Sequence, residues 1–550
     1  MEQGQGGRTA WMRAQARRGG VRLRLWALAL AIGLAASVAA LAFRLGIAGL
    51  QALFYGTDDV AHIHSFAAGL DWYWLLVIPI LGGLAVGLLL DRLTEDGRVR
   101  SVADVIEAAA LRDGRVQRRR GLVSALASLI TLSTGGSTGR EGPVVHLAAV
   151  LASYVNSWAK LGGIEGRELL GCAVAAAVSA SFNAPIAGAL FAMEVVLRHF
   201  AVQAFAPIVI ASAAGTVAGR LVFGDITEFQ LPFQNAVEFY VELPAFLLLG
   251  IVCGGVAVVQ MRAIFWADSL AGSLRERVRL PGWAWPMLAG AILGAIAIPF
   301  PHIIGVGYET TSRALTGELL FREAVIFAIV KVAAVSVTMG GRMGGGIFSP
   351  SLMVGSLTGL AFGLVATHLA PELSGGSSLY ALAGMGAVAA AVLGAPISTI
   401  LIVFELTGDW QAGLAVMVSV ALSSAVASAL VDRSFFLTQL ERRGVHLAAG
   451  PQAWLLGTFR VESVMRAQGH PRGADEAAMR ELIAGGTFLK EGQTLEEAMP
   501  MFETAGASVL PVVHFAGGDA GPELRGALFH VDALRALNRA LARRSAEAHG

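Results

Sequence analysis

Arg140 and Glu141 are the only formally charged residues in positions 121–159, a stretch that otherwise reads as membrane-buried. They sit inside Gly135-Gly136-Ser137-Thr138-Gly139-Arg140-Glu141-Gly142-Pro143. Glycine-broken backbone is tolerated at membrane depth only where it is packed in protein or lines a water-filled cavity. Pro143 suits the first turn of a helix, where a missing N–H leaves nothing unpaired. Helix N-termini attract anions. The pattern therefore predicts an anion site facing a helix start, with Glu141 as a negatively charged competitor for that site. A structural Arg140–Glu141 ion pair is the plainer reading, but ionisable residues inside a membrane are functional by default. Gly135-x-Ser137-x-Gly139 also has the spacing of a nucleophile elbow. A serine hydrolase needs a strand-to-helix turn and a base oriented by an acid, whereas these surroundings are helical and apolar and the nearby His146 has no identifiable acid.

A second break follows at Gly344-Gly345-Gly346-Ile347-Phe348-Ser349-Pro350, and a shared pattern comes after each break. Ala173-Val174-Ala175-Ala176-Ala177-Val178 recurs unchanged as Ala387-Val388-Ala389-Ala390-Ala391-Val392. Ala184-Pro185-Ile186 with Leu190 and Glu194 is then matched, at the same spacing, by Ala395-Pro396-Ile397 with Leu401 and Glu405. Paired hydrophobic segments interrupted by Gly and Pro at corresponding positions point to a transport site between two repeats. Glu194 and Glu405 are read as structural, each at a helix end near water or accepting backbone hydrogen bonds. Lys331 and Arg342 flank the second break; each either raises the positive potential of a vestibule or snorkels to the interface. His146 and His199 are read as packing or interface residues.

The elements that must hold these residues are membrane helices. Of 550 residues, 55% are hydrophobic and 15% charged, and the mean hydropathy is +0.64, which excludes a soluble enzyme. Spans of about 17 to 25 apolar residues are expected at 26–43, 72–90, 204–223, 244–263, 283–299, 352–370 and 414–431. Arg8, Arg13, Arg17, Arg18, Arg22 and Arg24 precede the first span, and Arg112, Arg115, Arg118, Arg119 and Arg120 follow the second. Two crossings place both clusters on one side, which the positive-inside bias makes cytoplasmic. The arm is too long and Arg-rich for a cleaved signal peptide, so the first span is retained. The net charge of +1 gives no basis for a nucleic-acid partner, and Cys172 and Cys253, both in apolar segments, give none for a disulfide or metal site.

The expected layout is a basic arm over 1–24, a membrane domain over 25–438 with repeats at about 25–224 and 240–438, a linker over 439–457 and a soluble α/β unit over 458–543. Within that unit an opening strand at Val461-Glu462-Ser463-Val464-Met465 is followed by helices over 495–504 and 531–543 and strands over 508–513 and 524–528.

Gly139-Arg140-Glu141-Gly142-Pro143, Gly345-Gly346-Ile347-Phe348-Ser349-Pro350 and the segment 394–409 together resemble the CLC family of chloride channels and proton/chloride antiporters. The resemblance covers roughly residues 25–444, and the tail looks like a cystathionine-synthase-type (CBS) regulatory domain. It implies an all-α polytopic membrane protein of two inverted helical repeats with broken pore helices, working as a homodimer with one chloride pathway per subunit. It implies Glu141 as the gating glutamate and Gly139, Arg140, Gly142 and Gly346 in the anion path. Ile347 and Phe348 would offer backbone N–H groups to the central anion. Amides bind chloride without a fixed cation that would hold it too tightly for conduction.

Three positions depart from the family pattern. The first anion motif falls on Val99-Arg100-Ser101-Val102-Ala103, so Arg100 or, after a local shift, Ser101 takes the hydroxyl donor's place. The inner tyrosine falls on Phe436, and the antiporters' internal proton-accepting glutamate falls on Val195. Glu194 is adjacent but about 100° round a helix. These changes favour a passive or weakly coupled chloride conductor over a proton-coupled antiporter, in a bacterial inner membrane. The adenine-nucleotide pattern Ser/Thr-x-x-Asp appears as Phe529-His530-Val531-Asp532, without its hydroxyl, and the tail has room for one CBS repeat where two usually pair. No cofactor is expected, and the tail is read as serving dimer contacts or stability.

Overall fold

The computed structural model describes residues 3–548, apart from 58, 225–238, 279, 372–373, 375, 408–409, 446, 448–455, 458 and 516–520. Asp409 at the end of the third motif, residues 446 and 448–455 of the linker, and the side chains of the arginines up to Arg22 lie outside the described residues.

The first half runs α1 (Gln3–Tyr55), α2 (Ile63–Ala68), α3 (Trp72–Leu93), α4 (Val102–Leu111), α5 (Arg118–Ser133), α6 (Glu141–Ala159), α7 (Gly163–Phe182), α8 (Pro185–Phe191), a π-helical turn (Ala192–Leu197) and α9 (Val202–Phe223). The second runs α10 (Phe239–Arg277), α11 (Ala284–Ala297), α12 (Tyr308–Leu315), α13 (Phe321–Gly340), α14 (Phe348–Leu369), α15 (Ser377–Leu393), α16 (Pro396–Thr407) and α17 (Trp410–Leu430), closed by α18 (Phe435–Glu441). These are two inverted helical repeats whose pore helices are broken at 134–140 and 341–347.

Among the described residues, seven helical stretches are long and apolar enough to cross a membrane. Six overlap the expected spans. The seventh expected span, 283–299, is the short α11, and the additional crossing is Phe321–Gly340. The helix of the first span also reaches back through the basic arm, so α1 is continuous from Gln3.

Small residues let equivalent helices of the two halves touch backbone to backbone. On α3, a Cβ at Gly83 or Gly87 would fall 2.1 Å from Pro286 O of α11 or Trp283 O at its N-cap. On α11, one at Gly290 would fall 2.0 Å from Pro79 O. Such small-residue seams are how membrane helices associate where apolar burial gives no net drive.

The tail is a small α/β unit of β1 (Arg466–Ala467), α19 (Glu476–Ala484), β2 (Leu489–Lys490), α20 (Leu495–Ala505), β3 (Val509–His514), β4 (Glu523–Phe529) and α21 (His530–Ala548). Its sheet order is β1-β4-β3-β2, with β2 and β3 parallel and the other pairs antiparallel. The expected opening strand is instead a 3-10 turn at Val461–Ser463. Arg460 makes a single bridge to Thr494, after which the N–H groups of Val464 and Met465 fold back onto Val461 O. That turn sets Val461 in a core with Leu489, Leu510, Val512 and Leu528. The unit and the end of its linker touch the membrane domain through Arg460–Asp113 at 3.1 Å, Arg198–Glu496 at 3.6 Å and a 2.6 Å bond from Arg167 to Gly457 O.

Candidate functional site

The two breaks meet. After α5 the chain turns through Gly135 at φ +94, and after α13 through Gly344 at φ +97 and Gly345 at φ +121, left-handed conformations that glycine adopts without a Cβ clash. The freed segments then pair: Gly139 N donates to Gly346 O at 2.7 Å, and Gly346 N donates to Gly139 O at 2.8 Å. Three further bonds cross between the halves, from Thr138 Oγ1 to Gly346 O at 2.9 Å, from Ser137 N to Thr338 Oγ1 at 3.1 Å, and from Thr131 Oγ1 to Met343 O. A Cβ on Gly346 would stand 2.8 Å from Gly142 N, so this approach admits only glycine.

Immediately beyond the pair, α6 opens at Glu141 and α14 opens at Phe348. The first N–H groups of a helix have no partner within it, so two sets of donors lie on either side of one backbone bridge. The Phe348 ring lies 4.9 Å from Phe182 and 6.0 Å from Phe191, which fixes the start of α14.

Glu141 is 3% exposed. Its Oε1 accepts from Ser349 Oγ at 2.5 Å and from Tyr308 OH at 3.4 Å. Arg140 Nε is 3.9 Å away. The Arg140 guanidinium is also directed elsewhere, donating to Ser181 O at 3.1 Å and lying over the Tyr308 ring at 5.0 Å. Oε2 is buried and has no hydrogen-bond partner among the described residues. A buried carboxylate with one oxygen unsatisfied is a costly arrangement, and moving out of it relieves that cost. Tyr308 was not legible as a site residue, since nothing but its place after Gly305 and Gly307 marks it.

A cavity of about 250 Å³ lies at the other end of the second break, reaching Gly344 and Gly345 and lined by Ser101, Arg98, Arg342, Arg442 and Arg443 with one carboxylate, Asp268. An arginine-lined concavity concentrates anions. Of the two residues expected at the first motif, Ser101 lines this cavity. Arg100 does not, because carboxylates four residues before and after it, Asp96 and Asp104, take its guanidinium. Burial pushes the Asp104 carboxyl up, but Arg443, the Ser101 N–H and Arg100 outweigh it and hold it below the usual carboxylate range. Phe436 is buried in the core edge-on to Phe435, and it is Phe435 that faces the cavity.

Lys331 neither snorkels nor reaches this vestibule: it is fully buried and donates to Ile303 O and Gly305 O. Val195 is buried in the π-helical turn. Glu194, beside it, accepts from Ile397 N at 3.0 Å, Ser398 N at 2.7 Å and Ser398 Oγ. Its carboxylate is committed to a helix start. The buried Ser137 hydroxyl has no hydrogen-bond partner among the described residues. His146 is buried, and His199 N donates to Met193 O at 3.0 Å. In the tail, Arg466 binds Asp532 at 2.7 Å and lies over the Phe529 ring at 3.9 Å, occupying both ends of the nucleotide-like pattern.

A family model described as "Voltage gated chloride channel" matches residues 82–428. A ClcB-like chloride channel protein of Ralstonia nicotianae is 31% identical over 420 residues, 76% of this chain and 96% of that protein. Among solved structures, the fold is similar to that of a slow cyanobacterial Cl-/H+ antiporter, with a TM-score of 0.66 at 23% identity over 76% of this chain and 98% of that one. It is also similar to a eukaryotic CLC transporter, with a TM-score of 0.64 at 18% identity over 93% of this chain and 98% of that one.

Proposed function

Since the chain belongs to the voltage-gated chloride channel (CLC) family, we propose that it moves chloride across a membrane between the starts of α6 and α14, with Glu141 as the gate. The observation that carries this reading is the Glu141 carboxylate, buried against the helix starts with Oε2 unsatisfied. The carboxylate takes a place that an anion would take. When it is protonated or displaced, chloride meets the N–H groups of the first turns, with Gly139, Arg140, Gly142, Gly346, Ile347 and Phe348 around it. Ser101 and the arginine-lined cavity form the inner entrance.

The pathway is a passive, pH- and voltage-sensitive conductor. Val195 has no ionisable group, and Glu194 is tied to Ile397 and Ser398, so neither relays a proton from the inner face. Proton-coupled antiport is the competing reading and requires another carrier past Val195. The protein would work as a homodimer in a bacterial inner membrane with both termini cytoplasmic. The exposed Ile186 and Ile397, at matched positions of the two repeats, support an apolar face for a partner. The tail serves as a CBS-like contact unit.

The test is chloride efflux from liposomes holding the purified protein, with external pH recorded and membrane potential set by a potassium ionophore. Chloride movement without uphill proton movement is expected. A stoichiometric pH change that reverses with the chloride gradient would replace the channel reading with the antiporter.

A further inference from the structure

Lys331 is a fully buried cation on α13, and no carboxylate pairs with it among the described residues. A buried lysine lacking an acidic partner is expensive to keep, and inside a membrane domain it calls for a role. Its Nζ donates to Ile303 O at 3.2 Å and to Gly305 O at 3.0 Å. Both acceptors lie on the turn leading into α12. The turn contains two left-handed glycines, Gly305 at φ +62 and Gly307 at φ +93, so little in its own chain holds its shape. A Cβ at Gly307 would stand 3.4 Å from Lys331 Nζ, which places the ammonium directly behind the residue that precedes Tyr308. Tyr308 is the first residue of α12, and its hydroxyl donates to Glu141 Oε1 at 3.4 Å.

We propose that Lys331 is a positioning residue for the Glu141 gate: it pins the turn at 303–307 so that Tyr308 presents its hydroxyl to the carboxylate. This rests on the gating role given to Glu141 above. A hydrogen bond to the charged form favours that form, so Tyr308 holds Glu141 in its ionised, path-blocking state. Removing either side chain loosens the hold on the path-blocking carboxylate, and the conduction–pH curve moves to higher pH.

Other ionisable groups surround this place. His302 stacks on Phe327 of α13 at 3.8 Å and lies 6.3 Å from His64, which is 3.8 Å from Glu309. Arg140 adjoins the gate itself. α11 carries no charged residue, and α14 carries only His368 in its last, exposed turn. On α10, Glu242 meets Tyr380, Arg262 meets Leu430 O, Arg275 meets Gly340 O, Asp268 lines the arginine cavity, and Glu276 and Arg277 are exposed.

The experiment measures the pH dependence of chloride efflux from liposomes for the wild type and for Lys331→Met, Lys331→Gln, Tyr308→Phe, Lys331→Met/Tyr308→Phe and Glu141→Gln, with each lysine variant repeated in the Glu141→Gln background. Lys331→Met and Tyr308→Phe are each expected to move the curve up by roughly 0.5 to 1 pH unit, and the double variant no further than Lys331→Met alone. Lys331→Gln keeps a donor and is expected to shift less, so either neutral variant suffices if the other does not fold. In the Glu141→Gln background no shift should remain. An unmoved curve in the lysine variants overturns the proposal. So does a shift that adds to that of Tyr308→Phe, or one that persists without Glu141, which would assign it to His302, His64 or Glu309. A wild type that conducts nothing, or a Glu141→Gln protein with unchanged pH dependence, instead overturns the gating role itself.

Discussion

Glu194 and Glu405 exchange helix caps across the two repeats. Glu194 accepts the Ile397 and Ser398 N–H groups at the start of α16, and Glu405 accepts the Ile186 and Ala187 N–H groups at 2.9 and 2.8 Å at the start of α8. Each glutamate therefore closes the helix that opens at the other repeat's proline. Reciprocal contacts of this kind are the signature of a two-fold relation, here within one chain.

Both caps should be structural. Glu194→Gln and Glu405→Gln are each expected to destabilise by about 0.5–2 kcal/mol, the range for a weakened helix cap, read as a lower unfolding midpoint in detergent. Their chloride efflux should keep the wild-type pH dependence. A Glu194→Gln protein of unchanged stability and altered pH dependence would make that residue a proton carrier.

Gly346 should tolerate nothing larger. An added Cβ would stand 2.8 Å from Gly142 N and 3.2 Å from Gly139 O, backbone atoms on both sides. Gly346→Ala is expected to abolish recovery of monodisperse protein, since separating the two breaks would cost more than about 4 kcal/mol. Gly49→Ala is the control: it lies in α1 with nothing within 4 Å of the added carbon, and should stabilise by up to about 1 kcal/mol. Gel-filtration yield and a thermal melt compare the two. Normal recovery of Gly346→Ala would mean that the bridge is not tight.

Much of this site was legible because it breaks local rules. Glycine clusters, a proline and one lone charge pair inside an apolar stretch mark a place where regular helix is given up, and the repeated Ala-Pro-Ile with its glutamate marks it twice. Pair partners were not legible. Nothing in the sequence tells that Arg100 turns to Asp96 and Asp104 and leaves Ser101 to line the cavity, or that Tyr308 reaches Glu141 across 167 residues of sequence. The crossing Phe321–Gly340 was hidden because Arg322, Glu323 and Lys331 lower its hydropathy, and Lys331 needs a folded turn to explain it. In the tail, α19 had a readable signal in Asp475, whose side chain accepts from Ala477 N as an N-cap.

The tail should not bind adenine nucleotides. Arg466 lies over Phe529 and binds Asp532, so the acid that would hold a ribose already has a cationic partner. Titrating ATP, ADP and AMP into the full-length protein in a calorimeter is expected to give only heats of dilution. Saturable heat abolished by Asp532→Ala would reverse this and make the tail a ligand sensor.

The most direct measurement is chloride efflux from liposomes as a function of pH for the wild type and Glu141→Gln. A carboxylate competes with chloride only while it is ionised, so wild-type efflux should rise as pH falls. Glutamine keeps the shape without the charge, and its efflux should be high and flat across the same range. A Glu141→Gln protein whose efflux still rose with falling pH would contradict the account, because the charge that closes the pathway would then lie elsewhere.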